Sequence, residues 1–444
     1  MLSAFLVQVS GFFDKRFLFN VWFPTFLFGA VGVFVAAVAM GPQTAVDAWS
    51  ALPALTQVWL SVGGLVLATF VAYICDNLLG PMVRLYEGYW PEWAGWLRRR
   101  RIVRYHRRRQ HLNDRLDLVA TQQRNIETAI KKAEQGPSPS QEPPYDGAGL
   151  PGRVQQFQER LNQVPKLKIE KRPGELIKLF QELQALRSEI PGQCQQDLST
   201  GAAWEQKSLQ VREAFTERCR QELTSLEGGY NSLYATLYLN FPQDPARLMP
   251  TRLGNVIQAA EEYSQLTYNF DAPTVWPRLV PHLPPESKTQ LEQSSTPLAT
   301  MLFCATLSFL FAIIGGILLF SMDDSPLLFL STVVGGLLLS VWCYTGAVQR
   351  AVEYGMLIRT AFDLYRHELL KAIGVSLPSS PLEEWKLWPQ LMDWWYFYEP
   401  PFDAGEGKSA WYYEGKKPKP GSRPKRDEHV LYVRFGAPPK DKEE

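Results

Sequence analysis

The chain has 444 residues, a formal net charge of +1 and a mean hydropathy of −0.17, which is too long for one ordinary domain and, on average, looks soluble. The average conceals four stretches without a charged side chain, Phe17 to Val46, Ala48 to Cys75, Gln293 to Met322 and Ser325 to Gln349, each longer than the roughly 20 residues that cross a hydrocarbon core about 30 Å thick. The five cysteines, Cys75, Cys194, Cys219, Cys304 and Cys343, have no CxxC spacing, which excludes a disulfide framework and a zinc signature.

Span one is expected at 17–40. No strongly basic region precedes it and no small-residue cleavage site follows, so it reads as a retained span rather than a signal peptide. Span two is expected at 56–79, after a loop whose only charge is Asp47. Directly behind it stand Tyr86, Tyr89, Trp90, Trp93 and Trp96, rings suited to headgroup level. Then come Arg98, Arg99, Arg100, Arg101, Arg104, Arg107, Arg108 and Arg109, eight arginines within a dozen residues, broken by His106 and by no acid.

Basic residues this close to a span end orient it, so that side is read as cytoplasmic. Lys15 and Arg16 before span one, Arg350 after span four, and only Asp323 and Asp324 in the last loop agree. Both termini are therefore expected inside an inner, cytoplasmic membrane. The arginine run also has the composition of a nucleic-acid patch. Its closeness to the bilayer favours an anchor on anionic inner-leaflet lipids, made by the eight arginines with Trp90, Trp93 and Trp96.

From 111 to 135 the residues Leu112, Leu116, Val119, Ile126, Ile130 and Ala133 recur at helical spacing, a narrow apolar stripe that seeks a partner helix. Residues 136–152, GPSPSQEPPYDGAGLPG, read as an exposed linker. Further helices are expected at 153–163, 174–189 and 203–239, the last with Leu209, Phe215, Cys219, Leu223, Leu226, Tyr230, Leu233 and Leu237 on or near one face. They read as a small helical bundle or as coiled-coil-like hairpins. The turn-rich segment 241–250 leads to Thr251, a cap for a helix at 252–266, and the Pro-bounded block 271–285 with Trp276 braces the approach to the next span.

The stretches LMPTRLGNVIQAAEEY at 248–263 and NFDAPTVWPRLVPHLP at 269–284, with AFDLYRHELLKAIGVSLP at 361–378, EEW at 383–385 and YEGYWP at 86–91, carry a resemblance. They are similar to blocks in a family of uncharacterised multi-pass bacterial membrane proteins. The resemblance covers the membrane frame and its flanks, about half the chain, and leaves out the helices at 150–230. It implies an architecture and supplies no activity, ligand or catalytic residue.

Spans three and four are expected at 299–321 and 326–348. Glycines recur in all four spans: Gly29 and Gly32, Gly63 and Gly64, Gly315 and Gly316, Gly335 and Gly336. In lipid such positions mark faces where backbones approach closely, within one chain or between copies. No ionisable residue lies near the middle of a span, which argues against a proton or ion-coupled carrier. A pore is less affected, because Thr69, Ser308, Ser331 and Thr332 with glycine backbones can line one built from several copies. Asp76 and Asn77 at the inner end of span two read as an interfacial cap or, in an oligomer, a ring at a pore mouth.

After span four a mixed-charge amphipathic helix is expected over 350–373, then an aromatic tail with Trp385, Trp388, Trp394, Trp395, Tyr396, Tyr398, Trp411, Tyr412 and Tyr413, packing over the helical domain or making an interface. A short strand is read at His429 to Phe435, and the last residues read as disordered.

The fold class is thus mainly α: four transmembrane helices in two hairpins, an α-helical and partly coiled-coil-like cytosolic domain, and an aromatic-rich C-terminal tail. The parts are an N-terminal transmembrane hairpin at 1–79, a basic juxtamembrane segment and helix at 80–135, the linker at 136–152, a helical domain with the junction block at 153–297, a second hairpin at 298–348 and the tail at 349–444.

His106, His111, His282, His367 and His429 have no metal-ligand spacing, and no GxGxxG after a strand, Walker loop, GxSxG elbow or kinase set occurs. Glu261 and Glu262 are explained by the solvated face of a helix. No catalytic, metal or cofactor site is expected, so a membrane-bound enzyme is the third reading. The first is a self-associating pore or membrane-perturbing effector gated by its cytosolic helices, which take a protein or small-molecule signal. The second is a membrane-anchored scaffold that docks partners.

Overall fold

A computed structural model describes residues 17–135, 150–194, 198–322 and 326–397, and every regular element among them is helical. Four helices are long and apolar enough to cross a membrane. They are α1 (Leu18–Ala39), α3 (Ala54–Glu87), α10 (Pro285–Met322) and α11 (Pro326–Ala372). The linker at 136–149, the last loop, Tyr398 and everything after it, including the strand read at 429–435, lie outside the described residues.

Three of these helices overrun the apolar stretches. The 47 residues of α11 make a rod of roughly 70 Å at 1.5 Å per residue, more than twice a hydrocarbon core. Backbone hydrogen bonding does not stop where side chains turn polar, so α3 continues until Gly88 takes a left-handed conformation at φ 107° and α11 until residues 373–374, where Gly374 does the same at φ 75°. The loop read between the first two spans contains a short helix, α2 (Pro42–Ser50), started by Pro42 behind Gly41 at φ 90° and tied to α3 by Gln57 Nε2 donating to the Trp49 carbonyl at 2.8 Å.

α10 and α11 run antiparallel in close contact. Gly336 lies against Ala312, Gly315 against Thr332 and Gly346 against Met301, while Ser340 donates to the Ala305 carbonyl at 2.8 Å. α1 joins through Trp22, whose Nε1 donates to Thr69 of α3 at 3.0 Å, and through Val21, Ala72 and Phe303, which form a small core between α1, α3 and α10.

The remaining helices are α4 (Gly95–Glu134), α5 (Leu150–Gln163), α6 (Arg172–Cys194), α7 (Leu198–Asn240), α8 (Arg252–Tyr268), α9 (Ala272–Leu279) and α12 (Pro381–Phe397). α5 begins inside what the sequence reads as linker, because Pro151 is tolerated in a first helical turn. The C-terminal half of α4 with α5, α6 and α7 makes a bundle around Ile126, Phe157, Leu179, Leu183, Phe215 and Cys219. Phe215 packs between Phe157 and Phe180 at centroid distances of 6.3 and 6.2 Å. The stripe read on α4 enters this core from Val119 to Ala133, whereas Leu209 of α7 is 43% exposed and Val211 takes the buried position.

A second core joins α9, α12, the end of α8 and the polar half of α11 around Phe270, Phe362 and Trp388. The helix α12 was not read in the sequence. Trp388 on it is fully buried, 4.6 Å from Phe270 between ring centroids, while Trp385 and Tyr396 remain exposed. Glu384 of α12 pairs with Arg366 of α11 at 2.6 Å with both side chains largely buried. Burial would push the Glu384 carboxyl up, but the Arg366 guanidinium holds it below the ordinary carboxylate range.

Candidate functional site

The segment MPTRLGN at 249–255 builds a joint between the bundle and the apolar helices. α3 ends at Gly88, and a Cβ there would stand 2.5 Å from Pro250 Cγ, so the ring of Pro250 seats directly on the glycine. Thr251 caps α8 by accepting from Gly254 N at 2.9 Å, as its sequence position predicts. The same hydroxyl donates to the Glu87 carbonyl at 2.9 Å, which satisfies an end carbonyl of α3. A Cβ on Gly254 would stand 2.8 Å from the Glu87 carbonyl carbon and overlap its oxygen, so only glycine admits this approach. Asn255 closes the turn, its Oδ1 accepting from Met249 N and its Nδ2 donating to the Met249 and Thr251 carbonyls at 2.9 and 2.6 Å.

The joint reaches both pairs of apolar helices. Leu253 N donates to the Tyr344 hydroxyl of α11 at 3.3 Å, Tyr344 stacks on Tyr86 of α3 at 5.7 Å, and Tyr86 shares a hydrogen bond with Thr306 of α10 at 3.1 Å. At the next turns of α8, Glu262 accepts from Gln243 N and from Asp244 N, the latter at 2.9 Å, holding the loop from α7. Arg359 of α11 donates to the Ala259 and Tyr238 carbonyls at 2.7 and 3.2 Å and lies 4.3 Å from the centroid of the Tyr238 ring. Burial lowers the affinity of this guanidinium for its proton, against the pull of Tyr238, Tyr263 and Asp363. Tyr238 is the last rung of a stack with Tyr230 and Tyr234 along α7, at 6.3 and 5.8 Å.

The sequence reading of Glu261 and Glu262 as a solvated face is corrected by these contacts. Glu262 is 3% exposed and fully used as an acceptor of backbone N–H groups. Glu261 lines a cavity of ≈ 280 Å³ between α3, α8, α9, α10 and α11, with Glu87 and the apolar walls Val83, Ile257, Trp276, Leu298 and Tyr354. Burial, then the neighbouring charges of Glu87 and Asp271, push the Glu261 carboxyl up to about 7. Burial also raises Glu87, with Arg84 opposing.

The residues singled out in the sequence separate into groups. A Cβ on Gly315, Gly316 or Gly336 would meet side chains of the opposite helix of the α10–α11 pair, and one on Gly32 would stand 3.8 Å from Phe311. Gly29, Gly63, Gly64 and Gly335 have open space where a side chain would stand. Arg98 to Arg101, Arg104, Arg107 and Arg108 are exposed along α4, next to Trp93 and Trp96 at 82% and 67% exposure. Trp90 Nε1 instead caps the end of α3 by donating to the Leu85 carbonyl, and Arg109 turns to the Gln243 carbonyl. Asp76 lines a second cavity with Asn20, Ser295, Thr296 and Thr300. Among the described residues no group of His, Cys, Asp and Glu is placed to hold a metal.

The architecture is that of a helical protein with four helices apolar enough to cross a membrane, joined to a helical bundle. No family model matches the chain, and no curated protein or solved structure is detectably similar to it.

Proposed function

We propose that the protein is a multi-pass inner-membrane protein in which the α4–α7 bundle lies on the cytoplasmic side with both termini and acts on two hairpins of spans. In this reading copies associate through the open small-residue faces, and a cytosolic signal received by the bundle opens a path across the bilayer. The carrying observation is the joint: α8 is tied to α3 by Thr251 and Gly254 and to α11 by Leu253 and Arg359, so a displacement of the bundle loop at 241–250 moves a helix of each apolar pair. The seven exposed arginines between Arg98 and Arg108 and the exposed rings of Trp93 and Trp96 support an anchor on anionic lipid, at about 1 kcal/mol per basic residue near the surface.

Orientation is tested with single cysteines in a chain whose five native cysteines are replaced by serine. Asp47→Cys is expected to react with an impermeant thiol reagent in intact cells and Lys168→Cys only after lysis. The reverse pattern overturns the topology.

Assembly and permeation are tested together on the purified full chain. Light scattering in mild detergent is expected to give an oligomer, and proteoliposomes are expected to pass small ions that protein-free vesicles retain. A monomer without flux leaves a membrane-anchored scaffold as the function of the same fold.

A further inference from the structure

We propose that the cavity between α3 and α8 binds a protonated amine carried on a small apolar body, with Glu87 and Glu261 as its counter-charges. The cavity has ≈ 280 Å³, at the lower end of small-molecule sites, and suits a ring or a short alkyl chain rather than a whole lipid. Its walls are apolar and include the rings of Trp276 and Tyr354, whose faces attract an ammonium group. Pro273 at its edge is exposed, so the cavity is open to a ligand.

Charge decides the chemistry of the occupant. Glu87 and Glu261 come from different helices, repel each other, and have no hydrogen bond or ion pair to their carboxylates among the described residues. Asp271 adds negative potential, and the facing cations, Arg84 on α3 and Arg247 in the turn before α8, act on them without forming an ion pair. Like charges held against apolar walls are relieved by a cation or by a proton. An anion is repelled, and a neutral apolar molecule leaves both charges as they were. A bound amine bridges α3 to α8 through Glu87 and through Glu261, about two turns beyond Gly254, so it tightens the joint; the inference concerns binding alone and stands whether or not the protein is a pore.

The test uses the full chain in phosphatidylcholine nanodiscs at about pH 8, titrated with hexylamine and, in parallel, hexanol, read by calorimetry and by the melting temperature. Hexylamine is expected to bind and raise the melting temperature, and hexanol at the same concentration is not. Glu87→Gln and Glu261→Gln are each expected to weaken the amine at least about tenfold, the loss of one charge-assisted contact. Ile257→Trp, which fills the cavity and keeps both acids, is expected to abolish binding. Lowering the pH below about 7 protonates Glu261 and weakens the amine in the wild type, with a smaller effect in Glu261→Gln.

Nanodiscs containing an ethanolamine phospholipid assign the source of the amine: a lower apparent affinity for hexylamine points to the lipid headgroup, and an unchanged one to a soluble amine. Equal responses to hexylamine and hexanol, or an unaltered amine affinity in the folded Glu87→Gln/Glu261→Gln double variant, overturn the proposal.

Discussion

Gly254→Ala is expected to destabilise the protein by about 3 kcal/mol or more, at the upper end of overpacking penalties. The added methyl group overlaps the Glu87 carbonyl and stands 2.9 Å from Met249 Cβ, both of them parts of the joint that cannot swing away as a flexible side chain would. α3 and α8 must part, which breaks the Thr251–Glu87 hydrogen bond and lifts Pro250 off Gly88. The sign makes the experiment decisive, because the same substitution in an unobstructed helix stabilises by up to about 1 kcal/mol. Gly228→Ala on α7, where nothing lies within 4 Å of the new atom, supplies that comparison and is expected to be neutral or stabilising. Thermal unfolding of both variants in one detergent measures the difference. Equal melting temperatures for Gly254→Ala and wild type would remove the joint as a rigid connection.

Gly336→Leu and Gly335→Leu are expected to behave oppositely although the residues are neighbours. A Cβ on Gly336 meets Ala312 Cβ at 2.9 Å and the Ser308 carbonyl at 3.1 Å, so leucine there forces α10 and α11 apart and loses the Ser340–Ala305 bond, at a cost of roughly 3 kcal/mol. A Cβ on Gly335 meets nothing, so Gly335→Leu leaves the monomer's stability within about 0.5 kcal/mol of wild type. If copies associate through this face, Gly335→Leu lowers the oligomer to a monomer while the chain still inserts. Size by light scattering and unfolding by circular dichroism separate the two effects. A Gly335→Leu protein of unchanged size sinks the assignment of this face to self-association.

What the sequence alone determined follows from signals that are local and summed over many residues. Four uncharged stretches longer than a hydrocarbon core need no tertiary information to identify helices apolar enough to cross a membrane. The stripe Val119, Ile126, Ile130, Ala133 and the cap Thr251 were legible for the same reason, since period and capping act within a few turns of one helix. The end of α3 was not, because hydrophobicity reports where lipid would stop and the helix stops only where its backbone is turned by Gly88, whereas the end of α11 was legible from the amphipathic pattern that runs on to 373. The helix α12 was hidden by its aromatic composition, which reads either as packing over the helical domain or as an interface and marks no helix; only the structure places Trp388 buried against Phe270.

The site itself depends on the tertiary structure throughout. Glu87 and Glu261 are 174 residues apart in the chain, and neither has a neighbour in sequence that marks it as anything but a solvated acid. They become a pair sharing an apolar cavity because the left-handed turn at Gly88, the ring of Pro250 and the absent side chain of Gly254 let two helix ends meet backbone to backbone. In the same way, which glycine of a Gly–Gly pair packs within the chain and which faces outward is set by the rotation of one helix about another, and the roughly 100° between consecutive residues places Gly335 and Gly336 on different faces.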